Sequence, residues 1–149
     1  MMAVSSIRAF RGMHQAGFRL VLEAGFELAR AWLATCLPAA TYLTHAAVAH
    51  RNPTTAHDPR HIRAIGQVVE AVARRMPFRA RCLQQALATS RMLGRRGYAP
   101  SIRLAVNMDP AGRAAAKHGR AAHAWVCVDD IVACGGGLPD RYAIVAQIG

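Results

Sequence analysis

The hydrophobic period of the chain changes at Gly97, and this change limits the folds that the chain can adopt. Before Gly97, apolar residues recur at three- and four-residue spacing, which is the pattern of amphipathic helices. After Gly97, Ile102, Leu104 and Val106 occupy alternate positions, which is the pattern of a half-buried strand. Helices followed by a run of short strands predict an α+β fold with a mostly antiparallel sheet.

Residues 4–33 predict one long helix, because their apolar residues form a single stripe. A separate face is expected to hold four charged residues, Arg19, Glu23, Glu27 and Arg30. The uncharged segment 31–50 is long enough to cross a bilayer, but it contains Pro38 and more alanine than leucine. We therefore expect two helices that break near Pro38 and pack on the rest of the molecule.

Two further helices are predicted after a polar linker. Asp58 before Pro59 predicts a helix start, since aspartate caps helix N-termini and proline suits the first helical position. This helix is expected to end before Pro77. The last helix is predicted over residues 81–96, with Gly97 as its stop.

Four strands are predicted in the second half of the chain. Asp129 and Asp130 are interpreted as a turn between the second and third of them, and residues 108–120 as a loop. The predicted strands lie around residues 102–106, 122–128, 131–134 and 141–148.

A chain of 149 residues has the size of one domain. We expect residues 1–50 to form an N-terminal helical region that packs on a core of residues 51–149. The N-terminus lacks the clean apolar run of a signal peptide, so the expected location is the cytoplasm.

The net charge of +11 arises from 19 basic and 8 acidic residues. Such a surface attracts acidic peptides, nucleic acid or anionic lipid. The arginines are dispersed and aromatic residues make up 6% of the chain, so no nucleic-acid partner is expected and membrane association is disfavoured. A cationic binding or scaffold protein without catalysis remains the alternative to an enzyme.

The four cysteines indicate free thiols in a reducing compartment, because none has metal-ligand spacing. His57 and His61 are close in sequence, but Pro59 between them interrupts the shared helix face that a metal pair needs. No metal or other cofactor is therefore expected. Three of the cysteines are interpreted as packing residues, with Cys134 the most exposed: Cys36, Cys127 and Cys134.

Cys82 and His123 are the candidate catalytic residues. Cys82 lies in the first turn of a predicted helix, where the dipole and nearby arginines favour a thiolate. His123 begins a predicted strand on the face that it shares with Trp125 and Cys127. A thiolate at a helix N-terminus and an imidazole on a later strand form the arrangement of cysteine hydrolases. Taken singly, each residue also fits an ordinary packing role.

Two segments resemble the leader peptidases of lasso-peptide biosynthesis, the transglutaminase-like B proteins. They are RCLQQALATSRMLGRRGYAPSIRLAV and AAHAWVCVDDIVACGGGLPDRYAIV, and the similarity extends over about residues 60–149. The specific features are the order and spacing of Cys-Leu, Arg-Arg-Gly and Ala-His-Ala-Trp-Val.

The resemblance implies a papain-like cysteine protease from a bacterial gene cluster that cuts the leader from a precursor peptide. It implies that Cys82 is the nucleophile and His123 the general base, with backbone N–H groups at the helix start supplying part of an oxyanion hole. The implied partners are the precursor, a separate leader-recognition protein and an ATP-dependent macrolactam synthetase that acts on the product.

One departure from the family concerns its third catalytic member, an acid on the strand after the histidine. A two-residue hairpin places Gly135 or Gly136 opposite His123, and neither has a side chain that can orient the ring. Asp140, a backbone carbonyl or a water molecule are the open alternatives. The glycines also leave open a scaffold subunit without activity, or an acyl transferase.

Overall fold

The computed structural model describes residues 3–36, 58–108, 122–136 and 142–149, with side chains described from residue 17 onward. The predicted helix after Pro38 and nearly all of the predicted loop at residues 108–120 lie outside these ranges. None of the described helices is both long enough and apolar enough to cross a membrane.

Three helices form as the periodicity predicts: α1 Ala3–Cys36, α2 Pro59–Ala73 and α3 Cys82–Arg95. The Asp58 carboxylate accepts a hydrogen bond of 2.9 Å from the backbone N–H of Arg60, which caps α2. Gly97 ends the turn after α3 with a φ of +83°, a conformation that glycine adopts without strain.

Four strands form one antiparallel sheet in the order β3-β2-β1-β4. Asp129 has a φ of +52° in the turn between β2 and β3, as the predicted hairpin requires. The α+β prediction is confirmed, and the strand bounds are β1 Pro100–Asn107, β2 Ala122–Val128, β3 Ile131–Cys134 and β4 Tyr142–Ile148.

The main core lies between the helices and one face of the sheet. Alternate residues of β2 point into it, and Trp125 and Cys127 form a smaller cluster on the opposite face with Ala105 and Tyr142. The main core includes Leu28, Ile62, Ile65, Val69, Met92, Leu93, Ala124, Val126 and Val128.

The charged face of α1 is not uniformly exposed, because Glu27 is only 1% exposed. The Glu27 carboxylate contacts Arg95 at 2.8 Å and Arg91 at 3.6 Å, so two arginines of α3 surround it. Several apolar side chains of α1 are exposed instead: Phe18, Val21, Leu22, Phe26 and Leu33. The helix therefore docks through a mixed apolar and ionic face.

Helix α2 crosses β3 at Gly66 with no room for a side chain. A Cβ atom built at Gly66 would overlap the carbonyl oxygen of Ala133. The glycine therefore sets how closely α2 approaches β3.

Candidate catalytic site

Cys82 is the first residue of α3 and is half-buried. The Gln84 side chain accepts a hydrogen bond from the backbone N–H of Arg81 and donates one of 2.8 Å to the Thr35 hydroxyl. These two bonds fix the start of α3 against the end of α1. The first N–H groups of a helix have no acceptor within the helix, so they favour a thiolate or an oxyanion beside Cys82.

A cleft of about 450 Å³ is lined by Arg81 and Leu83, the two chain neighbours of Cys82, although Cys82 itself is not among its lining residues. Arg79 and Arg81 are among its lining residues, so its rim carries positive charge. Trp32 stacks on Phe78 at a centroid distance of 4.9 Å and forms part of its wall. The remaining lining residues are Thr35, Cys36 and Gln84.

His123 is buried at the start of β2, with 6% of its surface exposed. Its Nε2 atom lies 2.6 Å from the carbonyl oxygen of Gly135. A carbonyl can only accept, so Nε2 holds the proton and donates it, and the neutral ring keeps its lone pair on Nδ1. Nδ1 is shielded from solvent and has no hydrogen-bond partner among the described residues.

Two aromatic residues enclose the His123 ring. Trp125 stacks on it at a centroid distance of 6.0 Å, and Tyr142 meets it edge-on at 6.5 Å. The ring is therefore held by packing as well as by its hydrogen bond.

Gly135 takes a conformation that other residues rarely adopt, with a φ of +102°. A Cβ atom there would lie 2.6 Å from the Cβ of Trp125, so an acidic side chain does not fit at this position. The predicted register holds as far as the pair of Cys127 with Val132 and is wrong beyond it, because a bulge pairs Val126 with Cys134. Of the open alternatives for orienting the ring, a backbone carbonyl occupies the place, and Asp140 lies outside the described residues.

The expectation that Cys134 is the most exposed of the three other cysteines is wrong. Cys36 is exposed, whereas Cys127 and Cys134 are buried. The pKa of the Cys134 thiol is raised to about 12, mainly by burial and also by Glu70 and Cys82, while a hydrogen bond with Thr89 acts in the opposite direction. Cys134 is thus a protonated thiol at neutral pH and lies near Cys82.

Cys82 lies close enough to Cys134 to interact with it electrostatically, and His123 bonds to Gly135, the next residue along the chain. Cys82 packs against the main core, whereas His123 stacks on Trp125 of the smaller cluster. Within the described ranges, no hydrogen bond joins the Cys82 thiol to the imidazole. Direct contact between the two stays a prediction.

Glu70 is a site residue that the sequence reasoning missed. Its Oε1 atom accepts a hydrogen bond of 3.0 Å from the backbone N–H of Gly135. The available signal was its spacing, because Ile62, Gly66 and Glu70 follow one another at single-turn intervals on the packed face of α2.

His61 has a separate environment, with its Nδ1 atom 2.9 Å from the Tyr98 hydroxyl. His57 lies outside the described residues. In the part of the chain that the structure describes, no three potential metal ligands gather.

A family model described as the transglutaminase-like superfamily matches residues 21–147. The match begins within α1 and ends in β4, so it is wider than the segments whose motifs resemble the B proteins. No curated protein and no solved structure shows significant similarity to the chain. The superfamily contains cysteine proteases and transferases, and its fold is of the cysteine-protease type. The match covers most of the chain, and the helices and antiparallel sheet of the chain agree with it. The chain therefore belongs to the transglutaminase-like superfamily.

Proposed function

We propose that the chain is a cysteine peptidase that removes the leader from a ribosomally made lasso-peptide precursor, with Cys82 as nucleophile and His123 as general base. The main support is the hydrogen bond from His123 Nε2 to Gly135, because it leaves Nδ1 as the proton acceptor. The position of Cys82 at the start of α3 supports the nucleophile.

The reaction follows from these roles. Nδ1 of His123 takes the thiol proton while the Cys82 sulfur attacks the scissile carbonyl carbon, which forms a C–S bond and an oxyanion. N–H groups at the start of α3 stabilise that oxyanion. Collapse breaks the C–N bond, and the imidazolium protonates the leaving amine. Water then hydrolyses the thioester and regenerates the thiol.

The proposed partners follow from the resemblance of the two motif segments. A separate leader-recognition protein delivers the precursor, and an ATP-dependent macrolactam synthetase receives the released core peptide. The positively charged rim formed by Arg79 and Arg81 suits a peptide with acidic residues beside the cleaved bond. The proposed location is the cytoplasm, where the nucleophilic thiol stays reduced.

The test uses the precursor and the leader-recognition protein encoded in the same gene cluster. We expect the wild-type chain to release the leader, and Cys82→Ala to lower the rate at least about a thousandfold, since the nucleophile is lost. Cys36→Ser is the control for loss of a thiol as such, because Cys36 is an exposed thiol that also lines the cleft but is not the proposed nucleophile. Release by Cys82→Ala at a rate near that of the wild type would contradict the proposal and favour a cationic scaffold.

A further inference from the structure

The peptide groups around Gly135 connect two side chains from different parts of the fold. Its N–H donates to Glu70, and its carbonyl oxygen accepts from His123. The N–H···carboxylate bond is charge-assisted, so it is stronger than a bond between two neutral groups. Glu70 therefore holds the residue that orients the imidazole.

The backbone at this point needs an external anchor. Gly135 and Gly136 both have positive φ values, +102° and +69°, and glycine loses more freedom on ordering than any other residue. The direction of the Gly135 carbonyl depends on torsions that no side chain at these positions restrains. The bond to Glu70 fixes one end of Gly135 and thereby limits where its carbonyl points.

The position of Glu70 depends on Gly66, one helical turn earlier. Since Gly66 has no side chain, α2 lies directly against the Ala133 carbonyl of β3. One turn farther along the helix, the Glu70 carboxylate then lies level with Gly135.

We propose that Glu70 is a positioning residue, which acts through the Gly135 backbone to keep the His123 ring in its Nε2–H form. This inference rests on the proposed peptidase function. In that function, Glu70 and the Gly135 carbonyl together orient the imidazole, which is the role of the acid that the family has on the strand after the histidine. Glu70 makes no direct bond to the ring, and its effect on the reaction is indirect.

The test compares Glu70→Met, which keeps the side-chain volume without an acceptor, with Glu70→Gln, whose amide oxygen still accepts. Imidazole ¹⁵N spectra, assigned with His123→Ala, report which ring nitrogen holds the proton. We expect the wild type and Glu70→Gln to show the Nε2–H form and Glu70→Met to show a mixture of both forms. Leader cleavage by Glu70→Met is expected to fall about tenfold to a hundredfold in kcat with little change in KM.

Gln67→Ala is the matched control, because Gln67 is exposed on the same helix. An unchanged ring tautomer in Glu70→Met would overturn the inference. Should that variant not fold, hydrogen exchange in the wild-type chain decides: slow exchange of the Gly135 amide supports the anchor, and exchange at the unprotected rate overturns it. The ¹⁵N spectra and the hydrogen exchange do not depend on cleavage. Failure of the proposed peptidase function can therefore be distinguished from failure of the positioning role of Glu70.

Discussion

The His123 imidazole donates to the Gly135 carbonyl oxygen across 2.6 Å, so a backbone atom fixes the tautomer of the candidate base. A backbone carbonyl does not change its protonation state with pH, whereas a carboxylate does. The Nε2–H form is therefore maintained wherever the neutral ring exists, and no acidic group on β3 is needed for it.

Convergence of the nucleophile and the base is tested by cross-linking. We expect 1,3-dibromoacetone to alkylate the Cys82 sulfur first and then Nδ1 of His123, with loss of one bromide at each step. Peptide mass spectrometry of the Cys36→Ser variant should identify one cross-linked peptide pair. The His123→Ala variant should give only the single adduct at Cys82. A single adduct in the presence of His123 would show that the two groups do not meet.

The two glycines at the end of β3 should differ in their tolerance of alanine. Gly135→Ala forces a Cβ to 2.6 Å from Trp125, and its φ of +102° is unfavourable for alanine, so we expect a loss of more than about 3 kcal/mol in the free energy of unfolding. Gly136→Ala has open space, and its φ of +69° lies near the left-handed region, so we expect about 1 kcal/mol. Urea denaturation measures both. Equal losses would contradict the described backbone.

Thiol labelling should separate the four cysteines into two classes. Iodoacetamide at neutral pH is expected to modify Cys36 and Cys82 in the native chain, because Cys127 and Cys134 are buried and burial raises the pKa of both thiols. Intact-mass analysis should show one adduct on the Cys36→Ser variant and none on the double variant that carries Cys36→Ser and Cys82→Ala. Unfolded protein should take up four. Rapid native labelling of Cys134 would argue against its described burial.

The ion pairs between α1 and α3 should differ in their contribution to stability. Glu27→Ala leaves Arg91 and Arg95 around an emptied, buried position, so we expect a loss of about 3–5 kcal/mol. Glu23→Ala removes a carboxylate whose side chain is 25% exposed, so we expect about 1 kcal/mol or less. Urea denaturation of the two variants gives the comparison. Similar small losses from both would show that Glu27 is solvated.

The local features of the fold were predictable from the sequence because neighbouring residues determine them. The cap at Asp58, the stop at Gly97 and the turn at Asp129 each depend on the preferences of one or two residues. The placement of Trp125 and Cys127 on one face of β2 followed from the period of the strand.

Two of the missed contacts depend on partners distant in sequence. Glu70 is 65 positions from Gly135, and Glu27 is 68 positions from Arg95, so local patterns indicate neither contact. The bulge that pairs Val126 with Cys134 shifted the strand register and with it the position opposite His123. Trp125 therefore lies against Gly135, a steric relation that the hairpin rule alone does not give.

The bare Cα of Gly66 has a consequence for redesign of this scaffold. A methyl group added at position 66 would push α2 away from the sheet. The Glu70 carboxylate would then lie too far from the Gly135 N–H to accept its hydrogen bond. Redesign of this region must therefore preserve the spacing between α2 and β3. The spacing is set by a glycine that contacts neither the sulfur nor the imidazole.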